Sequence, residues 1–301
     1  MKKFVYIPLV FVLLALAACT PAPAPVETRF WDVAANVQSA DDDFAVNDNL
    51  GRPYEGRYFY SQLSPNMQQG YRALYTALTA HAPNTWYVGE YNEDMQLIAR
   101  SLFMDCPEFF YARMSGEYTT SGQNTRYDIG YEYDLDETLR RTPLVNAGLQ
   151  EAYDVAVAQP DPASQMWAVV VYFSDTIDYH WEAAEVPDEE FYDTYFDTNT
   201  IYGAFVDHHA LCGGYALAFE DICYRLGIPC IYVEGEVLSD TYSGAHAWNL
   251  VQVDGVWYCV DPTWSDDEAN IGLRDDYFMS SDAYHNEFVT GYYVPAEVPA
   301  A

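Results

Sequence analysis

Leu211-Cys212-Gly213-Gly214-Tyr215-Ala216, Gly227-Ile228-Pro229, Ala245-His246-Ala247-Trp248-Asn249 and Trp257-Tyr258-Cys259-Val260-Asp261-Pro262-Thr263-Trp264 punctuate one stretch, Leu211 to Trp264, whose reading decides the fold. Leu211, Tyr215, Phe219, Ile222 and Leu226 recur every three or four positions, with Ala218 beside Phe219, and make one face of a helix. Gly227 stands where a helix takes a left-handed C-terminal residue, and Pro229 bars continuation. Cys212 therefore falls in the first turn. Ala245 to Val253 alternates as a strand, with His246, Trp248 and Leu250 on one face. Asp254-Gly255 is a strong two-residue hairpin signal, and Val256 to Asp261 forms the returning strand. With Val253 and Val256 closing the turn, His246 lies opposite position 263, one or two residues from Asp261.

A thiol, an imidazole and a carboxylate thus arrive in order. A cysteine nucleophile needs this set: a base for its proton and a third group to orient the base. In a first helical turn, unpaired backbone N–H groups and the helix dipole favour an anion, which a thiolate is. Gly213 and Gly214 are poor helix formers and suit a place where a substrate backbone must come close. Taken singly, Cys212 reads as a buried structural thiol, His246 as a satisfied core histidine and Asp261 before Pro262 as a turn former. The three in register favour chemistry. Metal binding is disfavoured: His208 and His209 diverge on any regular element, and no H-E-x-x-H or paired C-x-x-C motif exists. No cofactor is implied.

Cys-Gly-Gly-Tyr-Ala, Leu-Gly-Ile-Pro, His-Ala-Trp-Asn and Trp-Tyr-Cys-Val-Asp-Pro-Thr-Trp resemble the core motifs of the transglutaminase-like superfamily. The resemblance covers residues 165–290, with its specific motifs in 211–264. It implies a papain-like fold with Cys212 as nucleophile, His246 as base and Asp261 as orienter. The family holds acyl transferases, peptidases and inactive members. It therefore implies a cysteine-dependent amide hydrolase or acyl transferase on peptide or protein amides, or else a silent module binding peptide or glycan at the cell envelope. A structural envelope lipoprotein is a third alternative. A papain-like site also needs a second oxyanion donor beside the Cys212 N–H, for which Tyr202 and Asn199 are the candidates just upstream. Tyr202, Gly213, Trp248 and Trp264 are expected to line the substrate cleft; core packing is the alternative for the two tryptophans, and a packing or turn role for Tyr202 and Asn199.

With 301 residues, half of them hydrophobic, the chain can bury one large or two small cores. Its 13 Lys+Arg against 46 Asp+Glu argue against nucleic acid, which needs a basic patch. An acidic surface could favour basic substrates, but solvation alone accounts for it. Strand propensity and core filling explain most of the 28 tyrosines.

Lys2-Lys3 followed by the apolar run Phe4 to Ala18 read as a leader too short for a comfortable membrane span. Leu16-Ala17-Ala18-Cys19 resembles a bacterial lipobox, which implies cleavage before Cys19 and a thioether-linked lipid; a plain signal peptide is the alternative. The Pro/Ala-rich residues after it would hold the domain about 20 Å from the membrane at ~3.1 Å per residue. The expected protein is exported, anchored on the extracytoplasmic face through lipid alone, monomeric, and acts on a peptide or protein. The expected organisation is a leader (1–18), a linker (19–60), a mostly helical N-terminal region with a hairpin (61–160), the transglutaminase-like domain (161–290) and a loose tail (291–301).

Within the N-terminal region, Ser64-Pro65 starts a helix with the apolar stripe Met67, Tyr71, Leu74, Tyr75 and Leu78. A second helix is read over 93–104, and two strands, 109–119 and 126–133, flank a Ser121–Asn124 turn. Thr142-Pro143 is read as the start of a helix reaching Val157, and 166–177 as an apolar helix. Residues 182–197 read as a surface loop and 276–280 as an edge strand. The class is α+β, with an antiparallel sheet packed on the nucleophile helix. Cys106, Cys223, Cys230 and Cys259 remain; Cys223 could pair with Cys230 or Cys259, whereas Cys212 and Cys223 sit about 16 Å apart on one helix, beyond disulfide reach.

Overall fold

The computed structural model describes residues 54, 57–88, 92–186, 191, 193–238, 243–267, 272–273, 277–280 and 288–290. The leader, Cys19, the Pro/Ala spacer and the tail from 291 lie outside them.

The N-terminal elements are α1 (Tyr58–Gln62), α2 (Pro65–Thr79), β1 (Asn84–Val88), α3 (Asn92–Asp105), β2 (Ala112–Ser121), β3 (Asn124–Tyr131) and α4 (Leu135–Val157). Ser64 caps α2, its hydroxyl accepting from Met67 N at 3.3 Å. Tyr71, Leu74 and Leu78 of the expected stripe are buried, and Met67 and Tyr75 pack partly buried beside them. β2 and β3 form the expected hairpin, closed by Gly122 at φ 61. The third strand of that sheet, β1, pairs with β3. Sequence pattern assigned no element there, because five residues beside Pro83 carry too short an alternation.

The start of α4 is a correction. The helix begins eight residues before Pro143, which lies inside it. Asp134 is the cap, accepting from Glu137 N at 2.9 Å, and Asp136 and Glu137 favour the positive end of the dipole. Thr142 caps nothing; its hydroxyl bonds back to the Thr138 carbonyl at 2.8 Å. Pro143 costs α4 the bond to the Leu139 carbonyl, and packing of Val145, Leu149 and Ala152 into the core keeps the helix continuous.

The second half holds α5 (Pro162–Thr176), β4 (Asp178–Tyr179), α6 (Trp181–Glu185), β5 (His209–Ala210), α7 (Cys212–Leu226), β6 (Cys230–Leu238), β7 (Ser243–Val253) and β8 (Val256–Val260). α8 (Pro262–Ser265) and the short strands β9 (Asp266–Asp267), β10 (Gly272–Leu273), β11 (Phe278–Ser280) and β12 (Phe288–Thr290) complete it. Part of the expected 182–197 loop is instead α6 and a 3-10 turn, Phe196–Asn199. The main sheet runs β11-β8-β7-β6-β12, antiparallel throughout, and α7 packs on β6 and β7. The protein is therefore α+β with an antiparallel sheet on the helix that begins at Cys212. One buried cluster joins Leu149 and Ala152 of α4, Phe173 of α5, Tyr215 and Phe219 of α7 and Val251 of β7, so residues on both sides of position 160 share a core. Among the described residues no disulfide forms, and Cys223 is buried as a free thiol.

Candidate active site

α7 ends as its sequence requires: Gly227 takes φ 76, and its N–H returns to the carbonyls of Cys223 and Tyr224. At the other end, Leu211 offers no side-chain cap, so the first-turn N–H groups beside Cys212 are not taken by a capping oxygen. Cys212 is half-buried there.

The β7–β8 hairpin closes at Val253 and Val256 through Asp254 (φ 52) and Gly255 (φ 81), the two positive values a type I′ turn demands. That register carries Asp261, one residue past β8, to His246. The His246 Nε2 lies 2.6 Å from Asp261 Oδ2, and Oδ1 of the same carboxylate accepts from Trp264 N at 3.0 Å. Asp261 is fully buried, so one side chain both caps α8 and holds the imidazole. The turn-forming and orienting readings of Asp261 are the same structure.

With Nε2 engaged by Asp261, Nδ1 is the ring nitrogen left to face Cys212. Burial pushes the imidazole toward neutrality. The Asp261 carboxylate and Cys212 outweigh burial and raise the His246 pKa to about 10. The structure thus joins Asp261 to His246 and places Cys212 where it acts on the same ring. Such an arrangement can hold a thiolate beside an imidazolium, with the carboxylate fixing the ring.

The remaining candidates separate. Trp264 is partly exposed and stacks on His246 at 4.7 Å, interplanar 24°. Trp248 is 2% exposed and belongs to the second buried cluster, with Ala216, Ile231 and Leu250. That burial favours the core-packing reading of Trp248 over a cleft wall. Tyr202 also corrects to packing: it stacks on Phe110 at 5.9 Å beneath the Arg141 guanidinium at 4.2 Å. The two glycines need close approach, as expected, but to this chain's own atoms, backbone at Gly214 and the Asn199 side chain at Gly213, rather than to a substrate's. A Cβ on Gly214 would sit 2.6 Å from the Thr198 carbonyl, and one on Gly213 would sit 2.8 Å from Cγ of Asn199.

β6 carried no motif, and the sequence reading missed it. It sets Gly235 opposite His246. It also supplies Tyr232, buried in the cluster against which Cys212 packs, its hydroxyl donating to Glu234 at 2.8 Å. Arg100 of α3 pairs with Glu234. Only the tertiary pairing reveals this line, since Arg100 and Glu234 are 134 residues apart. Among the described residues no group of three or more His, Cys, Asp or Glu side chains is arranged to hold a metal ion.

Residues 150–262 match the family model of the transglutaminase-like superfamily. The chain is 29% identical over 153 residues to kyphoscoliosis peptidase of Mus musculus, covering 48% of this chain and 20% of that protein. To kyphoscoliosis peptidase of Homo sapiens it is 35% identical over 85 residues, covering 26% and 12%. The match thus spans a fifth or less of these relatives. Among solved structures, a TGase shares 15% identity over 64% of this chain and 52% of its own, at a TM-score of 0.36. The periplasmic domain of TgpA from Pseudomonas aeruginosa shares 21% over 48% and 55%, at 0.31. Residues 150–262, which hold the helix that begins at Cys212, the β7–β8 hairpin and Asp261, thus carry a transglutaminase-like domain.

Proposed function

We propose that the protein is a cysteine-dependent acyl-transfer enzyme acting on peptide or protein amides. The observation that carries this reading is the buried His246–Asp261 pair with Cys212 acting on the same ring. The Cys212 thiolate attacks the amide carbonyl and forms the C–S bond. The His246 imidazolium gives its proton to the departing nitrogen as the C–N bond breaks, leaving a thioester. Water or a primary amine then attacks the thioester, His246 takes its proton, and the thiolate leaves. Water yields a hydrolase and an amine a transglutaminase; the name peptidase borne by the mouse and human relatives favours water.

The test is incubation of the purified protein with a peptide library, with and without a primary amine, beside Cys212→Ala. New termini or amine-labelled peptides that vanish in Cys212→Ala are expected. Neither product from the parent protein would leave the fold as a binding module. The leader and Cys19 support an exported, lipid-anchored placement as part of this proposal. A fatty-acid label that persists in Cys19→Ser would refute the anchor.

A further inference from the structure

Of the Phe, Tyr and Trp side chains the structure describes, Trp181 alone is exposed, at 67%. A single exposed ring means little by itself, and its place gives it meaning. β4 carries Asp178 and Tyr179 into a parallel pairing with His209 and Ala210, a pair of residues that ends two positions before Cys212. The His180 N–H donates to the Ala210 carbonyl at 3.0 Å, and Trp181 follows directly. The Tyr215 hydroxyl, in the first turn of α7, lies 2.9 Å from both the Ile177 carbonyl and Asp266 Oδ2. Asp266 is two residues beyond Trp264, which stacks on His246. β4 therefore passes the head of α7 on the flank shared with Trp264 and Asp266.

The chain fixes this segment from below. His180 caps α6, its Nδ1 accepting from Ala183 N at 3.1 Å, and its ring meets the edge of Tyr195 at 5.1 Å. The Trp181 indole sits 4.7 Å from the Tyr179 ring at 60°, so two π faces stand at an angle. Beside them Asp178 is 78% exposed, and Glu182 is exposed. Asp178 has His209 as its ion-pair partner, at 3.9 Å; among the described residues neither acid pairs with a lysine or an arginine. The sequence holds no Lys or Arg between Arg141 and Arg225, against 15 Asp and Glu in that span. Ring faces attract cations through their quadrupole, and carboxylates with no cation of their own add to that field. The two together suit an ammonium or guanidinium, whereas a neutral sugar would use the rings and not the charge.

We propose that Trp181, with Tyr179, Asp178 and Glu182, binds a lysine or arginine side chain of the polypeptide substrate, one that takes no part in the acyl transfer itself. This rests on the acyl-transfer reading above for the fate of the polypeptide, and not for the contact.

The test follows the Trp181 indole N–H by NMR in nitrogen-labelled protein, the signal being assigned by its loss in Trp181→Phe. The probes are tetra-arginine amide and its neutral isostere tetra-citrulline amide. Tetra-arginine should shift the Trp181 signal and tetra-citrulline should leave it in place. The double variant Asp178→Asn/Glu182→Gln should weaken that binding about threefold to tenfold. In turnover, arginine peptides of the library should be used in preference to their citrulline counterparts. Trp181→Ala should raise their KM about 5–30-fold and hold kcat within about twofold, because the contact is the same in ground and transition states. Tetra-arginine that binds without moving the Trp181 signal marks diffuse attraction to an acidic surface and overturns the proposal. An active parent with no preference for arginine over citrulline also overturns it and leaves acyl transfer standing. A shifted Trp181 signal with no turnover of any peptide keeps the cation site and overturns the acyl-transfer reading instead.

Discussion

Asp261→Asn isolates the charge in the His246–Asp261 pair. Both side chains are buried, at 4% and 0% exposure, with 2.6 Å between Nε2 and Oδ2. Two opposite charges centred about 4 Å apart at an effective dielectric of about 20 attract by roughly 4 kcal/mol, or about three pK units. Removing the charge should bring the His246 pKa from about 10 down to roughly 7. The asparagine also has one oxygen for two N–H partners, the imidazolium and Trp264 N, so the α8 cap should weaken by about 1 kcal/mol. A histidine whose folded pKa exceeds its unfolded value near 6.5 adds stability that is complete below that pH and is lost as pH rises through about 10. The parent should therefore lose this contribution between those values, and the variant should show little of that slope. The assay is NMR titration of the His246 Cε1–H, with urea unfolding at pH 6 and pH 9. A variant midpoint within about half a unit of the parent's would refute the electrostatic argument.

Asp134→Ala should cost about 1 kcal/mol in urea unfolding and Thr142→Val much less, because Asp134 caps α4 while Thr142 sits inside it. Equal costs would count against the assigned helix start. Gly214→Ala should destabilise by about 1–3 kcal/mol in the same measurement, since its added methyl meets the fixed Thr198 carbonyl; a stability equal to the parent's would mean the turn at 196–199 is free to yield.

The helix that begins at Cys212, the β7–β8 hairpin and the His246–Asp261 contact were legible because each is written in local pattern. Gly227 stops a 3.6-residue period, Asp254-Gly255 fixes a register, and the register carries a carboxylate to an imidazole. The errors came where a local signal had two readings. Thr142-Pro143 looks like a helix start, but Asp134-Leu135-Asp136-Glu137 upstream is the stronger one. Trp248 alternates with the site residues and still ends in the core, because alternation tells which face a side chain takes and not whether something covers that face. β1 was illegible for a different reason: its partner, β3, lies about forty residues further along the chain. β6 pairs with the next strand, β7, but carries no turn or motif residue that marks it.

The cations add a last step. Only 13 Lys and Arg stand against 46 Asp and Glu, yet three arginines join the N-terminal elements to acids across 51, 134 and 56 residues. Arg57 holds the buried Glu108 at 3.1 Å and lies over the ring of Tyr224 on α7 at 4.0 Å. Arg100 holds Glu234, which receives the Tyr232 hydroxyl beside Cys212. Arg141 holds Asp197, two residues before Asn199. Buried pairs of this kind add little net stability over apolar packing, but in the right context they fix one arrangement among several. Each of the three reaches the helix that begins at Cys212 or an element packed against it, β6 or the 196–199 turn. The N-terminal elements therefore brace the site's frame, and their purpose could not be read locally because each brace exists only between residues that folding brings together.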